Sequence, residues 1–182
     1  MRFVETPLQD AYVIDLDPKE DSRGAFCRLF CSQLLQEQGI ADIHFAQVNL
    51  SDNTAKGTLR GLHYQAEPHV EAKIVYCLQG SAYDVIVDLR PQSTTYLKHF
   101  GMRLSCEDSC ALYIPKGFAH GFLTLEENSR LLYLMSDCYQ PGFERGYRYD
   151  DPAFDIRWPL TPTTISERDQ SYIPFGTSHA LC

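Results

Sequence analysis

Short apolar stretches separated by turn-forming residues make up most of this sequence, and they constrain the fold more than any other feature. From Phe45 onward they recur at intervals of roughly ten residues, with Gly, Pro, Asn and Ser between them. In the stretch 82–89, Tyr83, Val85 and Val87 point to one face of the expected strand, and the residues between them point to the other. One face is expected to pack and the other to be partly polar. The pattern predicts an all-β sandwich or barrel.

The rest of the chain adds little helix to this β pattern. One short helix is expected over 32–38, ending at Gly39, and a helical turn is expected around 166–169. Because the chain has 182 residues and no internal repeat or low-complexity linker, we expect a single domain over residues 1–182. Strands are expected over 11–16, 25–30, 97–104, 110–114, 121–125 and 130–137.

Composition and charge argue against several kinds of partner. Hydrophobic residues make up 44% of the chain and charged residues 22%, and no apolar run is long enough to cross a bilayer. The formal net charge of -8 argues against nucleic acid, because phosphate backbones are bound by basic surfaces. A phosphate-bearing ligand must then be small and meet a local basic pocket. Residues 1–7 do not resemble a secretory signal, so we expect a cytoplasmic protein without a membrane segment.

The seven cysteines are an odd set for a chain in which no export signal is recognised. Free, buried thiols are therefore expected. The pairs Cys27/Cys31 and Cys106/Cys110 do not have the two-residue spacing of a zinc knuckle. We expect no metal site.

One stretch gathers charged and titratable residues that are unusual inside strands. Arg60 and His63 lie in Arg60-Gly-Leu-His-Tyr-Gln65, and Lys73 follows on the next expected strand. Three nitrogen bases on neighbouring strands would repel one another unless an anion or a carboxylate lay among them. Taken alone, His63 fits a core histidine as well as a functional one. The three residues together predict a functional site.

Three further residues could have a structural role or a functional one. His120 lies between two small residues, where it could cap a strand or let a ligand approach its ring. Tyr133 lies in an apolar strand, and the residues alone favour a place in the core. Tyr139 is at a strand end, before Pro141 and Gly142, where exposure for stacking is expected.

Five stretches carry a resemblance to a known family. Residues 21–26, 60–65, 83–90, 114–122 and 149–159 resemble the dTDP-4-dehydrorhamnose 3,5-epimerases, in the same order along the chain. The resemblance implies an all-β, cupin-type jelly-roll barrel or sandwich with a few short peripheral helices. It further implies a homodimer that binds a nucleoside-diphosphate 4-keto sugar and uses no metal or other cofactor.

The resemblance also implies roles for individual residues. His63 is the general base, Tyr133 the acid on the opposite side, Lys73 the cation near the C4 oxygen, and Asp169 the carboxylate that orients the base. Removal of a proton next to a ketone needs a base, a partner for the enolate oxygen and an acid, so these roles suit the chemistry. Ligand contacts are implied for Arg23, Arg60 and Arg168 at the diphosphate, for Gln47, Asn49, His120 and Glu144, and for Tyr139 stacking on the base.

Two departures from the family pattern lie where the nucleotide is expected. After Phe26, relatives commonly have an acidic residue at the position of Arg28, and Gln47-Val48-Asn49 replaces Gln-Asp-Asn. We count Phe26 and Arg28 among the substrate-binding residues. Guanine and cytosine therefore stay open beside thymine, as do a different 4-keto sugar such as a heptose and inversion at C3 or C5 alone.

Two other classes compete with an epimerase. Metal-dependent cupin enzymes use two histidines one residue apart, but the residue two after His63 is Gln65, so one ligand is missing. A sugar-binding cupin without catalysis would not need Lys73, Tyr133 and Asp169 together. Inversion of C3, C5 or both in a nucleotide-linked 4-keto-6-deoxy sugar is the function we expect.

Overall fold

The computed structural model describes residues 1–40 and 44–176 and confirms the predicted all-β class. In these ranges the chain forms fourteen strands and two short helices. The strands are β1 Arg2–Glu5, β2 Tyr12–Asp15, β3 Lys19–Asp21, β4 Gly24–Phe26, β5 Gln47–Asn53, β6 Thr58–Gln65, β7 Lys73–Gln79, β8 Ser81–Asp88, β9 His99–Ser105, β10 Cys110–Ile114, β11 Phe118–Thr124, β12 Ser129–Met135, β13 Glu144–Gly146 and β14 Thr164–Ile165, and the helices are α1 Ser32–Glu37 and α2 Glu167–Ser171.

Two sheets face each other in a jelly-roll sandwich. The first has the strand order β1-β2-β10-β7-β12-β5, and the second has the order β13-β6-β11-β8-β9 with β14 beside β6. Their neighbouring strands are antiparallel except for the β6 and β14 pair, and β3 and β4 form a separate hairpin. Strands far apart in sequence thus lie side by side, as β7 and β12 do.

The main core lies between the inner faces of the two sheets. Val75, Leu112 and Leu131 from the first sheet pack with Ile86 and Phe122 from the second. Burial of such side chains stabilises the fold by about 1.5–3 kcal/mol for each one removed from water.

Both sheets are also covered on their outer faces. Leu35 of α1 packs on the first sheet, and Phe154 of the C-terminal segment packs on the second with Leu62 and Val87. The alternation predicted for β8 is confirmed, but its partly polar face is not exposed, because that face points into the sandwich.

Several element bounds differ from the predicted ones for a common reason. Strand β10 has the predicted bounds, whereas the extended stretch 25–30 forms a strand only as far as Phe26. Strand β11 begins three residues before its predicted start, because Phe118 pairs with Asp88 directly after the turn at Gly117. Whether an extended residue belongs to a strand depends on a partner strand, which the local pattern does not contain.

The thiol prediction is confirmed in one part and wrong in another. Six of the cysteines lie in the described ranges and are free, as predicted, whereas Cys182 lies outside them. Cys77 is buried, but Cys106 and Cys138 are exposed. Within residues 1–40 and 44–176, no group of three His, Cys, Asp or Glu side chains is arranged to hold a metal ion, and no helix is long and apolar enough to cross a membrane.

Candidate active site

A close approach of strands β6 and β11 brings two histidines together. Gly61 has a φ of +121°, and a Cβ at this position would lie 2.5 Å from the Cα of Gly121. The two glycines therefore let the strands approach more closely than side chains would allow. The register shifts between His120 and Phe122, and it places His120 opposite His63.

His63 forms a hydrogen-bonded pair with Asp169, as the resemblance implied. The distance from Nε2 of His63 to Oδ1 of Asp169 is 2.6 Å. The His63 side chain is 41% exposed, whereas that of Asp169 is 4% exposed. Because a carboxylate only accepts hydrogen bonds, we assign the ring proton to Nε2, which leaves Nδ1 as the basic nitrogen that can meet a ligand.

Helix α2 holds Asp169 in place. The helix begins after Ser166, whose hydroxyl accepts a hydrogen bond from the Asp169 amide at 3.1 Å, and the Gly61 amide donates to Oδ2 of Asp169 at 3.2 Å. Burial acts to raise the pKa of this carboxyl, but the hydrogen bond and charge of His63 and the Gly61 amide outweigh burial and hold the pKa below its ordinary value. Asp169 is therefore an anion at neutral pH.

A second histidine and aspartate pair lies beside the first, on strands β11 and β8 of the same sheet. Nε2 of His120 is 2.9 Å from both carboxylate oxygens of Asp84. Both side chains are buried, Asp84 completely. The two residues lie on adjacent strands and point into the sandwich, where the low dielectric strengthens the pairing.

Tyr133 lies on strand β12 of the opposite sheet. Its ring meets that of His120 edge-on at a centroid distance of 5.9 Å, and its other neighbours include Phe122. Burial, together with the nearby carboxylate of Asp84, raises the pKa of the phenol well above its ordinary value, so the hydroxyl keeps its proton at neutral pH. Tyr133 packs against the core and also lines the cavity, so both interpretations of this residue hold in part.

Lys73 begins strand β7 and is buried beside a carboxylate that sequence reasoning missed. Its Nζ lies 3.1 Å from Oε1 of Glu71. The other oxygen of Glu71 accepts a hydrogen bond from Nε2 of Gln65 at 2.8 Å. A buried ammonium requires such a partner, because an unpaired buried charge is strongly destabilising.

These residues line a cavity of about 540 Å³, which we call the sugar cavity after the part of the ligand that the family resemblance implies there. Arg60 contributes its guanidinium, held by a 2.8 Å hydrogen bond from Nε to Oδ1 of Asn53. The sugar cavity is lined by Asn49, Leu50, Ser51, Asp52, Arg60, His63, Lys73, His120, Phe122, Tyr133 and Met135.

A second cavity of about 290 Å³ shares His63, Asn49 and Met135 with the first. We call it the nucleotide cavity, again after the part of the ligand that the resemblance implies. Glu144 accepts a hydrogen bond from the hydroxyl of Tyr139 at 3.0 Å and lies 3.4 Å from Arg168. The amide of Glu144 itself, with Tyr139 and the Gly142 amide, holds the pKa of this carboxyl below its ordinary value. The nucleotide cavity is lined by Gln47, Asn49, His63, Tyr64, Gln65, Glu71, Met135, Tyr139, Glu144, Arg145 and Arg168.

Most residues expected in the site come together in this chain, and three do not. Arg23, Phe26 and Arg28 are exposed in and after the β3–β4 hairpin and line neither the sugar cavity nor the nucleotide cavity. Arg23 pairs instead with Asp21 at 2.6 Å. The remaining expected residues line one of the two cavities or an adjoining crevice, namely Gln47, Asn49, Arg60, His63, Lys73, His120, Tyr133, Tyr139, Glu144, Arg168 and Asp169.

Sequence reasoning missed several polar residues that hold the site together. Asp84 had a signal, because it is a charged residue between the apolar Ala82 and Ile86 on one face of β8. Glu71 had a weaker one, since residues two apart on an extended chain point to the same side. The sequence shows Gln65 where metal-dependent cupins have a histidine ligand, but it does not show that the amide of Gln65 is a structural link to Glu71. Tyr172 had none: its ring meets that of His63 edge-on, and its hydroxyl accepts a hydrogen bond from Arg168 at 3.0 Å.

Comparison with known proteins agrees with the predicted fold and enzyme class. The family model described as dTDP-4-dehydrorhamnose 3,5-epimerase matches residues 5–176. A dTDP-4-dehydrorhamnose 3,5-epimerase of Methanothermobacter thermautotrophicus is 39% identical over 176 residues, which cover 95% of this chain and 94% of the relative.

Solved structures give the same result. The crystal structure of a dTDP-4-dehydrorhamnose 3,5-epimerase from Elizabethkingia anophelis is 38% identical, with a TM-score of 0.92 over 96% of each chain. That of dTDP-6-deoxy-D-glucose-3,5-epimerase from Legionella pneumophila, in complex with dTDP-4-keto-L-rhamnose, is 35% identical, with a TM-score of 0.89 over 94% of this chain and 90% of the other.

The family model, the relative and the solved structures all place the chain in one class of enzyme, the carbohydrate epimerases. This chain belongs to the dTDP-4-dehydrorhamnose 3,5-epimerase family. The family and the enzyme class predicted from the sequence are confirmed.

Proposed function

We propose that this protein inverts C3 and C5 of a dTDP-linked 4-keto-6-deoxy sugar by removing a proton next to the C4 ketone and returning one from the other side. The observation that carries the proposal is the placement of an imidazole and a phenol on opposite sheets of one cavity. His63 lies on β6 of the second sheet, and Tyr133 lies on β12 of the first. Inversion requires a base and an acid on opposite faces of the reacting carbon.

The reaction balances with the residues of the sugar cavity. Nδ1 of His63 takes the proton from carbon, and the electron pair of the broken C–H bond moves through the enolate to the C4 oxygen. The ammonium of Lys73 stabilises the negative charge that develops there. The hydroxyl of Tyr133 then protonates the carbon from the opposite face, and exchange with solvent restores the phenol and removes the proton from His63.

The two histidine and aspartate pairs have different parts in this scheme. Asp169 fixes the tautomer of His63 and stabilises the imidazolium that forms when the proton is taken. The buried pair of His120 and Asp84 lies on the same sheet as His63, and His120, which lines the sugar cavity beside it, contacts the sugar.

Nucleotide binding is assigned to the second cavity. The phenol of Tyr139, held by Glu144, offers a face for the base to stack on. Arg60 and Arg168 line one crevice with His63, and they meet the diphosphate. The diphosphate is the small anion that a chain of net charge -8 accommodates only in a local basic pocket. Thymine is proposed because the names of the relatives specify dTDP.

Deuterium uptake tests the proposal directly. Enzyme and dTDP-4-keto-6-deoxyglucose in heavy water should place deuterium at C3 and C5, as followed by NMR, with GDP- and CDP-linked 4-keto sugars beside it. Uptake with a GDP- or CDP-linked sugar alone would contradict the thymidine assignment. Absence of uptake with the whole panel would overturn the proposed function.

Tyr133→Phe separates the two half-reactions. The variant keeps the base and the cation, so we expect proton exchange to continue at a reduced rate while formation of the inverted sugar stops. The inverted product is followed by NMR in the same samples. Equal and complete loss of exchange and inversion would argue against a purely acid role for Tyr133.

A homodimer is the second part of the proposal, and exposed apolar residues support it. Val48 and Leu50 on the edge strand β5 are 64% and 55% exposed, and Phe26 in the β3–β4 hairpin is 76% exposed. Gln47 and Asn49, which alternate with them on β5, line the nucleotide cavity. A second copy packed on this edge would cover the apolar side chains and could bring its hairpin to the cavity.

The six free thiols support a reducing compartment, the cytoplasm.

Mixing two inactive variants tests whether the hairpin acts across the dimer. One variant carries His63→Ala, and the other carries Arg23→Ala with Phe26→Ala. If the hairpin completes the partner's site, randomly mixed dimers should recover about a quarter of the wild-type activity, because half of the dimers have one intact site. No recovery would place the hairpin's role within its own chain, and a single-chain mass in sedimentation would exclude the dimer.

A further inference from the structure

The ion pair of Glu71 and Lys73 lies between the two cavities. Lys73 lines the sugar cavity, Glu71 lines the nucleotide cavity, and both residues are almost fully buried. The distance between Nζ of Lys73 and Oε1 of Glu71 is 3.1 Å. The steps proposed above use Lys73 and leave Glu71 without a role.

Hydrogen bonds around Glu71 require a carboxylate at this position. The backbone amide of Gln140 donates to Oε1 of Gln65 at 2.8 Å, so the side-chain nitrogen of Gln65 faces Glu71. Glu71 therefore faces two donors, the amide nitrogen of Gln65 and the ammonium of Lys73. A neutral amide in its place would turn an N–H toward one of them, whereas a carboxylate accepts from both.

We propose that Glu71 is a positioning residue for Lys73 in the epimerase reaction. An ammonium has three N–H donors, so the bond to Glu71 leaves two for the C4 oxygen of the substrate. The carboxylate also supplies the negative charge that the buried ammonium needs before the enolate forms. The inference rests on the proposed function, since it concerns the cation that stabilises the enolate.

A purely structural role would have a different signature. Through Gln65, Glu71 is linked to the backbone at Cys138 and Gln140, on either side of Tyr139. If Glu71 only supported this loop, its loss would weaken nucleotide binding and raise KM. If it positions Lys73, its loss lowers kcat, because the interaction with the enolate is made only as the reaction proceeds.

The test compares Glu71→Gln with Glu67→Gln, an exposed glutamate of the same loop. In the deuterium-uptake assay over a range of sugar-nucleotide concentrations, Glu71→Gln should lower kcat by about 10-fold to 100-fold with KM within about twofold of wild type. Glu67→Gln should leave both unchanged. A rise in KM at wild-type kcat would overturn the inference in favour of loop support.

Two further variants keep the test decisive. In a Lys73→Met enzyme, the added Glu71→Gln should change kcat by less than about twofold, because a positioning residue acts through Lys73; multiplied losses would overturn the inference. If Glu71→Gln alone fails to fold, the exchanged pair Gln65→Glu with Glu71→Gln restores a donor and an acceptor between these two side chains, although not the donor to the carbonyl oxygens of His69 and Cys138, and the same loss of kcat is expected. Wild-type kcat in this double variant would overturn the inference. Absence of deuterium uptake in the wild-type protein would instead overturn the proposed function itself.

Discussion

The two histidine and aspartate pairs of this protein have the same chemistry in different surroundings. In the pair of His63 and Asp169, the histidine is 41% exposed and the carboxylate comes from a helix more than a hundred residues away in sequence. In the pair of His120 and Asp84, both side chains are buried on adjacent strands. The first pair can exchange a proton with a ligand and with solvent, whereas the second is fixed in the wall of the cavity. Exposure of the ring, and not the identity of the pair, therefore supports the proposal that His63 is the base.

The largest effect is expected from His63→Ala, which removes the ring that faces the ligand. Deuterium uptake should fall by at least about 1,000-fold, because no other base lies in its place, while the binding of the nucleotide should change little. Deuterium uptake is measured by NMR, and nucleotide binding is measured by calorimetry. His99→Ala, on strand β9 away from both cavities, is the control, and a loss of uptake there equal to that in His63→Ala would break the comparison.

Asp169→Asn should have the next largest effect on rate. The amide leaves the ring in place but no longer fixes the tautomer or stabilises the imidazolium, so kcat should fall by about 100-fold at nearly unchanged KM. Glu167→Gln, an exposed residue of the same helix, should leave kcat unchanged. Wild-type kcat in Asp169→Asn would mean that His63 needs no orienting partner.

Asp84→Asn should affect stability more than rate, which is the reverse of Asp169→Asn. Breaking the buried pair should lower the free energy of unfolding by about 3 kcal/mol, measured by urea denaturation, while kcat falls by no more than about 10-fold. Asp108→Asn, which removes an exposed ion pair with Arg103, should cost less than about 1 kcal/mol. A larger loss of kcat in Asp84→Asn than in Asp169→Asn would exchange the roles of the two pairs.

The smallest effect is a pH-dependent difference in stability. Burial acts to raise the pKa of Asp169, but His63 and the Gly61 amide outweigh it, so the folded-state pKa lies below the unfolded value of about 3.9. A lowered pKa contributes stability above the unfolded value, and this stability is lost as the pH falls through the folded value. The melting temperature of wild type should therefore exceed that of Asp169→Asn at pH 6 to 7, with the gap closing below about pH 4. A gap that is constant with pH would show that the charge of Asp169 does not contribute.

Local patterns in the sequence predicted the β class, the alternation along β8 and the short helix α1 with its end near Gly39. These features depend on contacts between near neighbours, so the sequence contains their signal. The limits of β4 and β11 were less well predicted, because a strand ends where its partner ends. Eleven of the residues to which the family resemblance gave a catalytic or ligand-binding role line the two cavities or the adjoining crevice, but the resemblance gave no sign that the hairpin with Phe26 lies outside the cavities of its own chain.

By itself, the sequence determined a chain of short strands with two apolar faces and a cluster of bases at Arg60, His63 and Lys73 that needed a counter-charge. Only the tertiary structure decided which carboxylates supply it: Asp169 for His63, Asp84 for His120 and Glu71 for Lys73. The alternation of side chains is set within a few residues, whereas these pairings depend on strand register and on the closure of long loops. A carboxylate two residues away and one more than a hundred residues away can then serve the same cavity.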